Sequence, residues 1–213
     1  MWSVALDAQP AALGAVLSED ELLRAARFKV DDGRRNFVGT RGALRVLLGR
    51  YLREEPEALR FAAGPQGKPR LDPPQKLQFN VSHSGTAGLI AVADTDLGID
   101  IERIQPRRDL PGLARRVFTE REREAIAGEE TAFYRHWVAK EAFVKATGRG
   151  VTSVRSFEVL LDAPGGARLV HVGGDAEEAQ RWTLEELAAP PGYRAAVVIR
   201  GERRIVGPRE FEP

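Results

Sequence analysis

The sequence predicts an α+β protein made of two similar halves, each with a small, mostly antiparallel sheet packed against one long helix. Three observations support this class. A long helical pattern occurs once in each half of the 213 residues. Short runs with the alternation of strands lie around these helices, and the turn residues between successive strands favour hairpins. Two such halves facing each other would place a shared site in the cleft between them.

The composition is that of a globular protein with a substantial core. The chain is 43% hydrophobic and 30% charged, and its formal charge of +1 gives no reason to expect bulk nucleic-acid binding. No apolar run reaches the roughly 20 residues of a membrane span, and no signal peptide is recognised at the N-terminus. The absence of cysteine excludes disulfides and thiol chemistry, and we expect a cytoplasmic protein.

The elements of each half follow in order along the chain. In the first half we predict a strand, two helices and three strands, at 2–6, 18–26, 34–52, 77–81, 87–93 and 97–102. A connector at 105–108 divides the halves, 1–104 and 105–213. In the second half we predict two helices and three strands, at 119–127, 131–146, 156–161, 181–184 and 193–199. Capping boxes that begin at Ser18 and Thr119 mark two of the helix starts.

Two acidic segments carry the main chemical signal. Asp100 and Glu102 are two apart on a predicted strand, so their carboxylates share one face. Glu141 and Lys145 are four apart on the second long helix and share a face of it. Such a set suits a hard cation bound to phosphates, because Mg²⁺ usually takes one or two carboxylates and fills its shell with water and substrate oxygens. A solvated strand face and a surface ion pair are the alternatives.

The first half offers groups that could bind a phosphate. Arg41 falls on the apolar face of the first long helix, where an arginine needs a partner, and Arg34 lies on an adjoining stripe. Lys68 lies in a turn-rich segment. A hydrolase built on Ser82 and His83 is disfavoured, because adjacent strand residues point to opposite faces. His83 is then either a structural histidine or a phosphate contact.

Four segments, taken together, resemble the phosphopantetheinyl transferases of the Sfp type. They are Gly67-Lys68-Pro69, Phe79-Asn80-Val81-Ser82-His83-Ser84, Gly98-Ile99-Asp100-Ile101-Glu102 and Trp137-x-x-Lys140-Glu141-x-x-x-Lys145-x-x-Gly148. The resemblance implies that family's fold of two pseudo-symmetric halves, with the active site between them. It also implies a magnesium-dependent enzyme that transfers the 4′-phosphopantetheine arm of coenzyme A to a serine of an acyl or peptidyl carrier protein and releases 3′,5′-ADP.

The resemblance further implies roles for individual residues. The metal ligands would be Asp100, Glu102 and Glu141. Cations near the transferred phosphate would be Lys145 and, as a second candidate, Lys140. Coenzyme A would be bound in the first half by Arg34, Arg41, Lys68, Pro69, Ser82 and His83, with Lys145 reaching it from the second. The proton of the attacking serine would be accepted by Glu141, by Glu122 or by a bound water.

The expected partners are coenzyme A and apo carrier proteins of fatty-acid, polyketide or nonribosomal peptide synthesis, without nucleic acid or membrane. We expect a monomer, because the related trimeric synthases have much shorter subunits and need a neighbour to complete the site. Two other functions stay open from the residues alone. One is a different magnesium enzyme, such as a nuclease or nucleotide hydrolase; the other is a non-catalytic module that binds coenzyme A or a carrier protein.

Overall fold

Two long helices and two mostly antiparallel sheets dominate the structure, a computed structural model that describes residues 1–7, 11–64, 67–107, 109–148, 150–162, 166–202 and 205–213. The helices in these ranges are α1 (Ala12–Ala15), α2 (Glu19–Ala26), α3 (Asp31–Leu52), α4 (Leu110–Val117), α5 (Glu120–Ile126), α6 (Glu130–Thr147) and α7 (Ala176–Gln180). The strands are β1 (Trp2–Ala5), β2 (Phe61–Ala63), β3 (Pro69–Leu71), β4 (Gln78–Ser84), β5 (Ala87–Ala93), β6 (Leu97–Arg103), β7 (Phe157–Leu160), β8 (Arg168–Val172), β9 (Trp182–Leu187), β10 (Tyr193–Arg200) and β11 (Arg209–Glu210). None of the helices described is long and apolar enough to cross a membrane.

The larger sheets account for seven of these strands. The first sheet has the order β11-β1-β5-β4 and the second the order β6-β10-β9. Within them the pairing is antiparallel except between β1 and β11. The predicted α+β class with small, mostly antiparallel sheets is confirmed. Sheet pairing crosses the predicted boundary at residue 104 twice, because β6 pairs with β10 and the C-terminal β11 returns to β1.

Three apolar layers fix the positions of sheets and helices. One face of the first sheet packs on α3, and one face of the second packs on α6. The other two faces meet in a layer that includes Leu89, Ile99, Ile101 and Val197. Alternation along β6 turns Gly98, Asp100 and Glu102 to the side of the strand that faces α6. The acidic residues are thus held between a sheet and a long helix.

Local signals locate the main elements well and miss several short ones. The predicted hairpin is confirmed as β4 and β5, and β4 continues to Ser84 because it pairs with β5 up to Ala87. The capping boxes at Ser18 and Thr119 open α2 and α5. The sequence interpretation missed α1, α4, α7, β2, β3, β8 and β11, which are eight residues long or fewer and have little periodic pattern to detect.

Candidate active site

β6 and α6 bring the predicted acidic residues and one lysine together. Asp100 on β6 is buried, and its Oδ1 lies 2.6 Å from Nζ of Lys145 on α6. Glu141 lies one turn before Lys145, close enough to Asp100 and Glu102 for their charges to affect its ionisation. Glu102 is half-buried and receives a hydrogen bond from the Ser84 hydroxyl, at 2.8 Å. The three carboxylates therefore lie near enough to interact electrostatically, in the neighbourhood of Lys145.

Two carboxylate oxygens at this place have no hydrogen-bond partner in the described part of the chain. They are Asp100 Oδ2 and Glu141 Oε1, and both atoms are buried. A buried acceptor without a donor is costly, about 1–3 kcal/mol and more when charged, so such atoms call for a ligand. Among the described residues, no group of three or more potential ligand side chains is arranged to coordinate a metal ion without other ligands. The donor set nevertheless fits Mg²⁺, which needs only one or two carboxylates when a substrate supplies phosphate oxygens.

Two carboxylates of this site have raised pKa values, mainly because they are partly buried. Partial burial, and next the charge of Asp100, raise the pKa of Glu141 from 4.5 to about 7. Burial likewise raises the pKa of Glu102, although the hydrogen bond from Ser84 opposes the shift. Strongly shifted pKa values of this kind cluster at functional sites.

The raised pKa of Glu141 predicts a pH-dependent stability of the metal-free protein. The pKa of Glu141 in the folded protein lies above its ordinary value of 4.5. The contribution of Glu141 to the stability of the folded protein is therefore fully present below about pH 4.5 and is lost as the pH rises through about 7. With allowance for solvent screening, we expect the free energy of unfolding to fall by about 1–2 kcal/mol between pH 5 and pH 8 because of this group. Denaturant unfolding of wild type and Glu141→Gln at both pH values measures this change in the free energy of unfolding. Glu185→Gln, which replaces an exposed glutamate on β9, is the control. An equal pH dependence in wild type and Glu141→Gln would contradict the assignment.

A cleft of about 410 Å³ opens beside the carboxylates. First-half residues Lys68 and Pro69 line one wall, and Glu141 and Lys145 line the other. Lys68 is partly buried and its ammonium donates to the carbonyl oxygens of Leu97, at 3.1 Å, and Lys145, at 2.8 Å. Lys68 thus ties the loop before β3 to β6 and α6, and it shapes the cleft as well as lining it.

A small basic recess adjoins the cleft on the side of α3. Its volume is about 170 Å³, and Arg24, Arg41 and His83 contribute its basic groups. The Nη1 atom of Arg41 is buried without a hydrogen-bond partner in the described part of the chain, and burial lowers the pKa of this residue. Partial burial of the ring, and next the charge of Lys145, lower the pKa of His83. The recess has the size and the unsatisfied donor to accept one phosphate group.

Arg24 is a member of this recess that sequence reasoning missed. It lies on α2, and its guanidinium stacks over the ring of Phe37 on α3, 5.1 Å from the centroid. No local motif marks Arg24, because its neighbours in the recess come from other segments. Arg34, which was predicted to bind coenzyme A, lies outside the recess, is exposed and pairs weakly with Asp31 at 3.7 Å.

The structure also separates Lys140 from Lys145. Lys140 is completely buried, and its ammonium donates to both oxygens of Glu122, at 2.7 and 2.8 Å, and to the carbonyl of Phe157. Glu122 in turn accepts from the main chain of Thr119 and Val159. This network lies in the core of the second half. We therefore correct the predicted role of Lys140 as a cation in the cleft, and Glu122 is not placed to act as a base.

Ser82 is used differently from its predicted contact with phosphate or adenosine. Its buried hydroxyl donates to Asp100 Oδ1 at 2.7 Å and accepts from Lys145 Nζ at 2.9 Å. It also accepts from the main-chain N–H of Ile101. One donor and two acceptor positions exhaust a hydroxyl, so Ser82 has no capacity left for a ligand in this arrangement.

Comparison with known proteins agrees with this geometry. The chain matches the model of the 4′-phosphopantetheinyl transferase superfamily over residues 96–198. It is 38% identical to 4′-phosphopantetheinyl transferase HetI of Nostoc sp. (strain PCC 7120) over 214 residues, which cover 94% of this chain and 87% of HetI. It is 32% identical over 195 residues to 4′-phosphopantetheinyl transferase psf-1 of Bacillus pumilus, covering 86% and 79% of the two chains.

Among solved structures, the holo-[acyl-carrier-protein] synthase of Thermotoga maritima overlaps with 51% of this chain and 64% of its own, with 21% identity and a TM-score of 0.41. The family assignment rests on the identity to HetI, which extends over most of both sequences. With its four motifs and this relationship, the chain belongs to the 4′-phosphopantetheinyl transferase family.

Proposed function

We propose that this protein transfers the 4′-phosphopantetheine arm of coenzyme A to a serine of an apo acyl or peptidyl carrier protein, with Mg²⁺ as cofactor. The observation that carries the proposal is a pair of buried carboxylate oxygens, from Asp100 and Glu141, that have no hydrogen-bond partner among the described residues and lie near Lys145. A site for a cation thus adjoins a cleft, and the cleft adjoins a basic recess. Membership of the transferase family supports the reaction.

Coenzyme A fits this arrangement by its charges. Its 3′-phosphate would enter the recess, where Arg41 has an unsatisfied donor and His83 can gain a proton beside an anion. Its adenosine would lie in the cleft against Lys68 and Pro69. The pyrophosphate would then reach Lys145, at the end of the cleft where the carboxylates lie. In this pose each charged part of coenzyme A meets a group of opposite sign or a cation site.

The reaction itself is a phosphoryl transfer, which depends on positioning and charge neutralisation. The serine oxygen of the carrier protein forms a bond to the phosphorus that bears the pantetheine arm, and the bond from that phosphorus to 3′,5′-ADP breaks. When bound, Mg²⁺ would neutralise charge on the pyrophosphate, held by Asp100, Glu102 and Glu141. Lys145 adds a second positive charge near the leaving group.

Glu141 is the residue best suited to accept the serine proton. In the metal-free protein its pKa is raised to about 7, mainly by burial, and a bound cation would lower that pKa again. A general base in this position contributes about 10²–10⁴ in rate. It comes from α6, the wall of the site opposite β6. One of its oxygens can serve the cation while the other takes the proton.

Intact-mass analysis of apo carrier proteins tests the proposed function. Incubation with this protein, coenzyme A and Mg²⁺ is expected to add one phosphopantetheine to a carrier protein, and replacement of the carrier serine by alanine should abolish the addition. Chelation of the metal should also abolish it. A panel of folded apo carrier proteins from fatty-acid, polyketide and peptide synthesis that all stay unmodified would overturn the proposal.

The basic recess leads to a prediction for His83→Ala. Loss of the imidazole should raise the KM for coenzyme A about tenfold and leave kcat nearly unchanged, because the 3′-phosphate is remote from the reacting phosphorus. The preference for coenzyme A over dephospho-coenzyme A should shrink by a similar factor. Steady-state kinetics with both substrates measures this, with His171→Ala on β8 as a control outside the recess. An unchanged preference would assign His83 a structural role.

A further inference from the structure

Three side chains of β4 reach across to the main chain of β6, and we call them the β4 rungs. Asn80, Ser82 and Ser84 alternate along the strand, so they point the same way. Each accepts a hydrogen bond from a main-chain N–H of β6; the donors, in the same order, are Ile99 at 2.9 Å, Ile101 at 3.3 Å and Arg103 at 3.1 Å. β4 and β6 belong to different sheets. The rungs therefore join the two sheets where main-chain pairing does not.

Two of the rungs also hold a carboxylate of the candidate metal site. The Ser82 hydroxyl donates to Asp100 Oδ1 at 2.7 Å, and the Ser84 hydroxyl donates to Glu102 Oε2 at 2.8 Å. Asn80 makes the same kind of bond to β6, and no hydrogen bond from its side chain to a carboxylate is seen among the described residues. The three rungs thus form an internal comparison, with two that touch an acid and one that does not.

The direction of each hydroxyl proton is fixed by its neighbours. A main-chain N–H and an ammonium group can only donate. Ser82 accepts from Ile101 and Lys145, so its single proton has to point to Asp100. Ser84 accepts from the N–H of Arg103, which turns its proton to Glu102 in the same way. Because the donors lie on β6 itself, the strand that carries the acids also sets the hydroxyls that hold them.

This arrangement selects which oxygen of Asp100 is left for a ligand. Ser82 and Lys145 both bond to Oδ1. Oδ2 is buried and unpaired within the described residues, and Glu141 Oε1 is in the same condition. Rotation of the Asp100 carboxylate would break two hydrogen bonds, so Oδ2 is held in one direction before any cation arrives. Glu102 is held through its Oε2 by the Ser84 hydroxyl.

We propose that Ser82 and Ser84 are positioning residues that aim the carboxylates of Asp100 and Glu102 at the cation, a role that rests on the proposed Mg²⁺-dependent transfer. Groups that hydrogen-bond to metal ligands typically change metal affinity 10–100-fold when removed. The serines need not touch coenzyme A or the carrier protein for this effect. Their other bonds, to the main chain of β6, are matched by Asn80 and so can be tested separately.

Binding of Mn²⁺, measured by electron paramagnetic resonance with saturating coenzyme A and no carrier protein, tests this without reference to turnover. Ser84 is half-buried and permits an isosteric pair, Ser84→Thr and Ser84→Val, in which only threonine keeps the hydroxyl. We expect Ser84→Val and Ser82→Ala to weaken Mn²⁺ binding at least tenfold, and Ser84→Thr to stay within about twofold of wild type. Asn80→Ala should lower the free energy of unfolding about as much as Ser82→Ala and Ser84→Val do. Its Mn²⁺ affinity should nevertheless stay within about threefold of wild type.

Each other outcome contradicts the proposal in a recognisable way. Wild type that binds no Mn²⁺ would overturn both the metal-dependent function and the positioning role. Wild type that binds, with Ser82→Ala and Ser84→Val binding equally well, would overturn the positioning role alone. The serines are structural residues only if Asn80→Ala, Ser82→Ala and Ser84→Val all weaken Mn²⁺ binding in proportion to their loss of stability. The same conclusion follows if Ser84→Thr binds Mn²⁺ as weakly as Ser84→Val.

Discussion

Asp100→Asn is expected to slow carrier-protein modification by about 10³-fold or more, which corresponds to roughly 4 kcal/mol of transition-state stabilisation. Asparagine has the same size as aspartate and can still accept the proton of Ser82. It removes one negative charge, however, and places an N–H₂ group at the buried Oδ2 of Asp100, for which the described residues supply no partner. An amide that donates hydrogen bonds repels a cation at that point. The pyrophosphate of coenzyme A would then lose much of its neutralising charge.

Two further measurements separate this effect from unfolding. The free energy of unfolding of Asp100→Asn should stay within about 2 kcal/mol of wild type. The ion pair with Lys145 is lost, but the amide oxygen can still accept from Ser82 and Lys145, and the repulsion of Glu141 is relieved. Mn²⁺ affinity in the presence of coenzyme A should fall together with the rate. Glu185→Gln, which removes an exposed carboxylate from the same sheet, should change neither the Mn²⁺ affinity nor the rate. A rate within tenfold of wild type would remove Asp100 from the mechanism.

Gly98→Ala is expected to have the largest effect on stability and to impair activity as well. A Cβ at Gly98 would overlap the carbonyl oxygen of Ala142 and the amide nitrogen of Ala146 and would lie 2.9 Å from the carbonyl carbon of Lys145. All three atoms belong to the main chain of α6, so no side chain can rotate out of the way and the helix has to move. Overpacking typically costs 1–3 kcal/mol, and we expect about 3 kcal/mol or more at this position.

The same displacement should reduce catalysis beyond the loss of stability. α6 carries Glu141 and Lys145, and a shift of about 1 Å in a reacting geometry can cost about 10²-fold in rate. Gly88→Ala is a matched control on β5, because its Cβ would meet only ordinary contacts, at 3.5 Å, with Leu6 and Val4. Chemical unfolding, and kcat measured at a temperature where both variants are folded, give the two effects. A Gly98→Ala protein as stable and active as Gly88→Ala would show that α6 does not need this close approach.

Several parts of the structure followed from short stretches of sequence. The capping boxes at Ser18 and Thr119 open α2 and α5 because a cap and its partner are only three residues apart. Alternation in β6 places Asp100 and Glu102 on one face, and helical spacing places Glu141 and Lys145 on one face of α6. Each of these signals depends on residues within one turn or one strand, so no knowledge of the fold is required.

The two lysines of α6 show where this reasoning ends. Lys140 and Lys145 lie on the same helix, and both resemble family positions that carry a positive charge. α6 is buried on most of its circumference, from Phe133 to Ala146, so its pattern does not tell which side faces the cleft. Packing puts Lys140 against Glu122 in the core and Lys145 against Asp100.

The sequence by itself determined the class of the fold, the main helices and strands, the family and the acidic residues at its centre, because these depend on local periodicity and on motifs of adjacent residues. The tertiary structure decided which groups meet: Arg24 with His83 at the recess, Lys68 with the carbonyl of Lys145, and Ser84 with Glu102. Such contacts join residues 18 to 77 positions apart. They arise only when two sheets and two long helices pack together, because the free energy that selects them comes from burying whole faces and satisfying the polar groups between them.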